Sequence, residues 1–393
     1  MGPSALRQMV GEVLAEVADA VEGAAVAPAV RVGVTAIGSE RGPEEIIRGA
    51  ELAAGLDRSL EVVVIGPDSG TALPTITVED EEAGHAALEA ALEDGRLDAA
   101  VTLHYSFPMG VATVGRVVTP GRGKEMLIAS CTGAADTDRV VAMVKNVLLG
   151  RAVAAALGWE DPSVGLCTVD GARQVERAVR DLVAGGYPLR WAESIRVDGG
   201  PMLRGNDCLW GTADVLVCDT LTGNLLVKLF SAYTTGGSYE AFGFGYGPGV
   251  GEGFGRIIGI ISRASGAAVI ASAVAYIAQM VRSCLLERVA EEFRAAKAAG
   301  LESVLADLQR PSPEEADEPF APPAPKAVSE QIGGVDVLET EDAVRCLARA
   351  GIYATSGMGC SGPVIMVASD DVTAAVGQLI TARFLPQEGP SVC

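Results

Sequence analysis

Short, nearly unbroken apolar runs punctuate the chain at Val30–Thr35, Leu60–Ile65, Ala99–Leu103, Met126–Ser130, Val164–Thr168, Ile195–Val197, Asp214–Cys218 and Arg256–Ile261. A strand covered on both faces shows no polar alternation, so each run reads as a strand of a buried sheet. Between them, apolar positions recur at helical spacing over Glu44–Gly55, Glu79–Glu93, Thr137–Leu157, Ala172–Ala184 and Leu225–Tyr233. Pro43 and Asp170 stand just ahead of two of these stretches, as start signals do. An amphipathic helix is also expected in the N-terminal MGPSALRQMVGEVLAEVADAV. Strands alternating with helices predict an α/β fold with a mostly parallel open sheet flanked by helices, whose ligands sit beyond the carboxyl ends of the strands.

The pattern breaks at Arg310–Lys326, RPSPEEADEPFAPPAPK, where six prolines and four acidic residues exclude a helix or a sheet ladder. The expected organisation is therefore a body over 1–309, possibly in two lobes, a Pro-rich acidic linker over 310–327, and a small C-terminal α/β module over 328–393. That module should contain a helix at Thr340–Ala350, the loop TSGMGCSGP, a strand at Val364–Ala368 and a helix at Asp370–Phe384. It is expected to be tethered and mobile. The uncharged stretch Ala264–Val281 is rich in Ala, Gly and Ser, contains Gln279, and reads as a buried core helix rather than a membrane span.

Charge narrows the function. With 30 Lys+Arg against 51 Asp+Glu in 393 residues, the net charge of −21 repels phosphate backbones and anionic membranes, so neither nucleic acid nor a membrane surface is an expected partner. Eight cysteines without a Cys-x-x-Cys, and only two histidines, give no metal-ligand spacing. No bound cofactor is expected. The N-terminal residues carry acidic side chains and lack an apolar leader core, so a reducing cytoplasm is the expected compartment.

Three segments carry candidate chemistry. Gly236–Gly255 holds nine glycines with Tyr239, Phe242, Phe244, Tyr246 and Phe254; it reads either as backbone that approaches a ligand or as an irregular connection packed on its own rings. It contains no dinucleotide fingerprint, and the chain has no P-loop. Asp219-Thr-Leu-Thr-Gly-Asn-Leu-Leu-Val-Lys228 follows an apolar strand and opens a helix, an anion-binding geometry. Thr222 and Asn224 would supply polar contacts, Gly223 close approach and Lys228 charge; Asp219 and Thr222 could equally be helix caps. Ser262-Arg263 follows the Arg256–Ile261 strand, where a guanidinium fork suits phosphate and equally suits a carboxylate partner.

Together these segments, VLVCDTLTGNLLVK and IIGIISRASGAAVI, resemble the PlsX and phosphotransacetylase family of phosphate acyltransferases, as do GRLDAAVT and RVGVTAIGSERGPEEIIRGAELA. The resemblance runs from about Arg31 to Met280 and implies an isocitrate-dehydrogenase-like α/β fold that interconverts acyl phosphates and acyl thioesters. The family's Asp-x-x-x-Gly-Asn falls on Asp219, Gly223 and Asn224, and its Ser-Arg pair on Ser262 and Arg263. The acid that phosphotransacetylases place after that pair, to deprotonate the coenzyme A thiol, meets Ala267, Ala268 and Val269. Cys360 is the expected replacement thiol, set among Gly357, Gly359 and Gly362, where free N–H groups can stabilise a thiolate or oxyanion. Cys131, at an expected strand end, is a second candidate thiol or a bystander. His104 follows the Ala99–Leu103 strand as a proton shuttle or a turn histidine, and His85 reads as a helix-surface residue.

An acyltransferase-like body joined to a GMGCSGP module is similar to subunits of the glycine, sarcosine and betaine reductase complexes. That likeness implies an acetyl phosphate-forming enzyme with inorganic phosphate as co-substrate and the thioester on Cys360. It also implies as partners a selenoprotein A carrying a carboxymethyl group and a companion beta subunit, within an oligomer. The alternatives are a coenzyme A- or acyl-carrier-dependent phosphate acyltransferase and a non-catalytic scaffold.

Overall fold

The computed structural model describes residue 11 and residues 29–197, 199–309, 322–359 and 362–386. The expected N-terminal amphipathic helix and most of the acidic linker lie outside these residues, as does Cys360. Twelve strands form the main sheet: β1 (Val30–Thr35), β2 (Leu60–Gly66), β3 (Thr75–Thr77), β4 (Ala99–Thr102), β5 (Val111–Val118), β6 (Glu125–Ala134), β7 (Ser163–Cys167), β8 (Arg190–Trp191), β9 (Met202–Leu203), β10 (Val215–Val217), β11 (Gly247–Val250) and β12 (Ile258–Ile260). Their order is β3-β2-β1-β4-β12-β11-β5-β6-β10-β7-β8, with β9 beside β7.

Most neighbours are parallel, and the exceptions sit together in the middle, where the pairs β12–β11, β11–β5 and β5–β6 are each antiparallel. Successive residues of β6 enter opposite cores, Leu127 and Ala129 one, Met126 and Ile128 the other, which is why these runs carry no polar alternation. Helix Ala267–Arg282 packs on β1 and β4 and against helix Pro43–Leu56, while helix Arg139–Ala156 packs on β6 and β10. The uncharged stretch is therefore core: Ile270, Val274 and Ile277 are all but inaccessible. Among the described residues no single helix is long and apolar enough to cross a membrane; only a pair bent by 63° at Ser283–Cys284 passes by length and composition.

Three expectations are corrected. Ile195–Val197 is not a strand, because the Asp207 carboxylate takes the Ile195 N–H (2.9 Å) and the Ser194 hydroxyl (3.0 Å), removing those groups from any ladder; the neighbouring strand is β8. β5 breaks the expected strand–helix alternation: it folds straight back into β6 through the turn at 119–124, closed by Thr119 N–H on the Lys124 carbonyl (2.8 Å). The glycine-rich segment contains β11 and so is partly sheet.

At β11 the glycines have a packing reason. Gly247 has φ 80°, and a Cβ there would collide with the Val114 carbonyl on β5. Gly253 has a similar φ of 74° with open space around it. Gly247→Ala is expected to destabilise the protein by about 3 kcal/mol or more, and Gly253→Ala by only the ~1–2 kcal/mol cost of left-handed backbone. Urea unfolding of the two variants checks the difference; equal losses would remove the collision as the cause.

The C-terminal residues form a separate antiparallel sheet, β13 (Glu330–Gly333), β15 (Gly362–Val367) and β14 (Ala354–Gly359) in that order, under helices Thr340–Arg349 and Val372–Thr381. Ile332, Leu347, Ile365 and Leu379 make its own core. The expected loop TSGMGCSGP is largely two paired strands, with Gly359 opposite Gly362.

This module, expected to be tethered and mobile, packs on helix Ala172–Ala184 in the structure. Asp336 accepts the Gly171 and Arg173 backbone N–H groups (3.1 and 3.2 Å) at that helix's start, where unpaired donors favour an anion. Arg177 grips Glu339 through both carboxylate oxygens (2.6 and 2.5 Å) and the Phe384 carbonyl (3.2 Å), and Arg383 pairs with Asp181.

Candidate functional site

The site lies along the carboxyl ends of β4, β12, β6 and β10. After β10 the chain turns at Asp219, whose carboxylate caps helix Thr220–Ala232 by accepting the Thr222 N–H (3.1 Å) and hydroxyl (2.6 Å). Burial works to raise the Asp219 pKa. The two Thr222 bonds and the Arg139 guanidinium at 3.4 Å outweigh it and hold the group below the ordinary carboxylate range. The capping reading of Asp219 and Thr222 is thus satisfied in the structure. Asp219 itself is an anion, so any bound phosphate would have to be met by other groups of this turn, Arg139 among them.

Gly223 and Asn224 face the neighbouring strand. A Cβ at Gly223 would strike the Ser130 carbonyl, so the glycine lets the helix lie against β6. Asn224 donates to the Cys131 carbonyl (3.1 Å), fixing the same contact one residue on. Both residues therefore place the helix that carries Lys228.

Lys228 joins the two anion-binding segments read from the sequence. Its ammonium donates to Ser262 Oγ (2.8 Å) and pairs with Glu240 (2.9 Å), which is fully buried. Ser262 also receives the Ala264 N–H (3.1 Å), and Ser265 Oγ accepts the Ser262 N–H (3.0 Å), so the turn after β12 is tightly held. Arg263 extends outward, half-exposed, to the Gly38 carbonyl (3.2 Å) and to both oxygens of Glu81 (3.1 and 3.2 Å).

Beside Arg263 a shallow cleft is lined by Thr35, Glu81, Thr102, His85 and His104. The two imidazoles meet edge to face with centroids 6.0 Å apart, so His85, read as a surface residue, shares the cleft with His104. Among the described residues no group of three or more His, Cys, Asp and Glu could hold a metal ion.

Cys131 is not at a strand end. β6 continues to Ala134, and the thiol is wholly enclosed, donating to the Ile128 carbonyl (3.2 Å). Burial pushes its pKa up to about 12, which leaves no thiolate at neutral pH. The structure thus brings Lys228, Ser262, Arg263 and His104 along one edge, puts Asp219 and Thr222 at its far end, and encloses Cys131 beneath it.

Sequence reading missed Glu240, Arg139 and Glu81. Glu240 had a signal: it and Glu252 are the only acids in the glycine-rich segment. It missed Glu45 too, whose buried carboxylate accepts the Ala267 N–H (2.7 Å) and supplies an acid at the helix start where the sequence shows only Ala267, Ala268 and Val269.

A family model described as fatty acid synthesis protein matches residues 30–366. The chain is 51% identical over 365 residues, 93% of its length and 95% of the relative's, to the glycine/sarcosine/betaine reductase complex component C subunit alpha of Peptoclostridium acidaminophilum. It is 29% identical over 238 residues to the phosphate acyltransferase of Thermus thermophilus, covering 51% of this chain and 70% of that one. Among solved structures, a branched-chain phosphotransacylase from Enterococcus faecalis matches 64% of this chain and 99% of its own, with a TM-score of 0.43 and 17% identity. Matched by the family model over most of its length, and by a relative identical at half of the aligned positions, the chain belongs to the fatty acid synthesis protein family.

Proposed function

We propose that this protein forms acetyl phosphate by phosphorolysis of an acetyl thioester held on Cys360, as a subunit of a glycine, sarcosine or betaine reductase complex. Inorganic phosphate would lie against Lys228, Ser262 and Arg263, with the Asp219–Thr222 turn and Arg139 beyond. A phosphate oxygen attacks the thioester carbonyl, the carbon–sulfur bond breaks, and the proton lost by hydrogen phosphate ends on the Cys360 sulfur. Positioning and charge stabilisation suffice, because a thiolate is already a good leaving group.

The observation that carries this reading is the 2.8 Å Lys228–Ser262 bond, which makes one site of two segments that each have anion-binding character. A second supports the route for Cys360. Gly171, to which Asp336 of the C-terminal module docks, adjoins Asp170, and Arg139 links Asp170 (3.9 Å) to Asp219 (3.4 Å). The module therefore meets the body at the edge where phosphate would bind.

Acetyl groups would reach Cys360 from the carboxymethyl group of selenoprotein A, with the component C beta subunit as companion, in a reducing cytoplasm that keeps the thiol free. Incubated with acetyl phosphate and arsenate, the full-length protein is expected to destroy acetyl phosphate, and peptide mass spectrometry is expected to place an acetyl adduct on Cys360. Turnover with free coenzyme A and no adduct would replace this reading with that of a coenzyme A-dependent acyltransferase. No turnover and no adduct would leave a scaffold.

A further inference from the structure

We propose that Glu240 is a positioning residue for the reaction, holding the Lys228 ammonium against Ser262 so that the serine hydroxyl is committed to donating a hydrogen bond. The proposal rests on the phosphate-transfer reading of the same site and adds a residue to it. Glu240 is 1% exposed, in the glycine-rich segment just before β11, far in sequence from both partners it connects. Its carboxylate accepts the Tyr246 hydroxyl (2.9 Å) and the Ser265 hydroxyl (3.0 Å) and forms an ion pair with the Lys228 ammonium (2.9 Å), and its backbone pairs with Ala264 and Gly266 on the turn carrying Arg263. Burial, with the Glu240 charge second, pushes the Tyr246 phenol well above its ordinary pKa, so that partner stays a donor.

Two of the three partners are hydroxyls that an amide could satisfy equally. Only the ammonium calls for a charge at this position, and a buried charge is costly unless paired. Hydrogen-bond counting then says what the pair does. An ammonium has three donors; Ser262 takes one at 2.8 Å, Glu240 pairs with the charge at 2.9 Å, and the half-exposed side chain leaves donor capacity for a ligand. Ser262 Oγ has two acceptor sites, filled by Lys228 Nζ and the Ala264 N–H, so its hydroxyl acts as a donor only. A polarised donor beside an ammonium suits a phosphate oxygen or the oxyanion that develops on the thioester carbonyl. Without the carboxylate, the four-carbon stem of Lys228 loses the contact that fixes it, and Ser262 regains an empty acceptor site.

The test uses the full-length protein in arsenate-dependent breakdown of acetyl phosphate, with Glu240→Gln, Glu240→Asp, Lys228→Met and the double variant Glu240→Gln/Lys228→Met. Glu240→Gln is expected to lower kcat roughly 10- to 100-fold and to change KM for acetyl phosphate by less than about threefold, because the ammonium is displaced and not removed. Glu240→Asp should recover part of the loss, and Glu240→Gln should cost nothing further in the Lys228→Met background. A merely structural Glu240 would cost the same factor in both backgrounds, which overturns the proposal. As a readout independent of turnover, Lys228 labelling by trinitrobenzenesulfonate, mapped by mass spectrometry, should rise several-fold in Glu240→Gln and lose its protection by inorganic phosphate. Unchanged labelling and turnover in Glu240→Gln overturns the role of Glu240 alone, whereas absence of turnover in the unmodified protein overturns the phosphate-transfer reading beneath it.

Discussion

Cys360→Ala is expected to lower acetyl phosphate formation by the reconstituted complex at least ~10³-fold, because a covalent route loses its nucleophile outright and the remaining groups can only position phosphate. The main-sheet site would be untouched: the module folds around its own core of Ile332, Leu347, Ile365 and Leu379, and docks through Asp336, Glu339 and Arg383, none of them in the glycine-flanked segment. Thermal stability and phosphate binding should therefore match the unmodified protein. Cys360→Ser separates chemistry from structure. A serine oxygen can accept an acetyl group but leaves as an alkoxide, far more basic than a thiolate, so the acetyl adduct should accumulate while acetyl phosphate release stays slow. Stopped assays paired with intact-protein mass spectrometry read both quantities. Full activity in Cys360→Ala would move the carrier thiol to another subunit.

Much of the architecture could be read from hydrophobic pattern because the parallel strands obey a simple rule. β1, β7 and β10 are almost wholly buried on both faces and spell themselves as nearly unbroken apolar runs. What stayed hidden is what depends on distant partners. β11 reads GPGV, a sequence with no strand propensity, and is a strand because β5 and β12 flank it and glycine alone fits beneath the Val114 carbonyl. The Asp219 turn and the Ser262-Arg263 pair were legible because an anion-binding helix start is a local device.

Their union was not legible. Lys228 and Ser262 are 34 residues apart, and Glu240, which fastens them, sits among glycines whose density draws attention away from the one carboxylate that matters. Cys131 is the converse case: the apolar run in the sequence ends at Ser130, whereas β6 carries the thiol inward and continues to Ala134. Docking of the C-terminal module depends on side chains such as Arg177 and Glu339, 162 positions apart, which no local pattern connects.

Arg263 decides between the two roles left open by its sequence, and its ion pair supplies the contrast. Glu81 and Arg263 are each nearly half exposed (44% and 47%), so their mutual attraction is screened and is worth no more than about 1 kcal/mol. If pairing were all that Arg263 did, Arg263→Ala and Glu81→Gln would both leave the reaction nearly unchanged. As a phosphate clamp, Arg263 instead stabilises charge that grows in the transition state. Its loss should then cost roughly 10²–10³-fold in kcat/KM, equivalent to about 3–4 kcal/mol. Arg263→Lys should recover little, because a point charge cannot hold Gly38 and a phosphate oxygen with one planar fork. Glu81→Gln should move the other way, lowering KM for phosphate, since the guanidinium is released from a competing anion while Gly38 still orients it. Steady-state kinetics with phosphate as the varied substrate distinguishes these outcomes, and equal, small effects of Arg263→Ala and Glu81→Gln would reduce Arg263 to a surface ion pair.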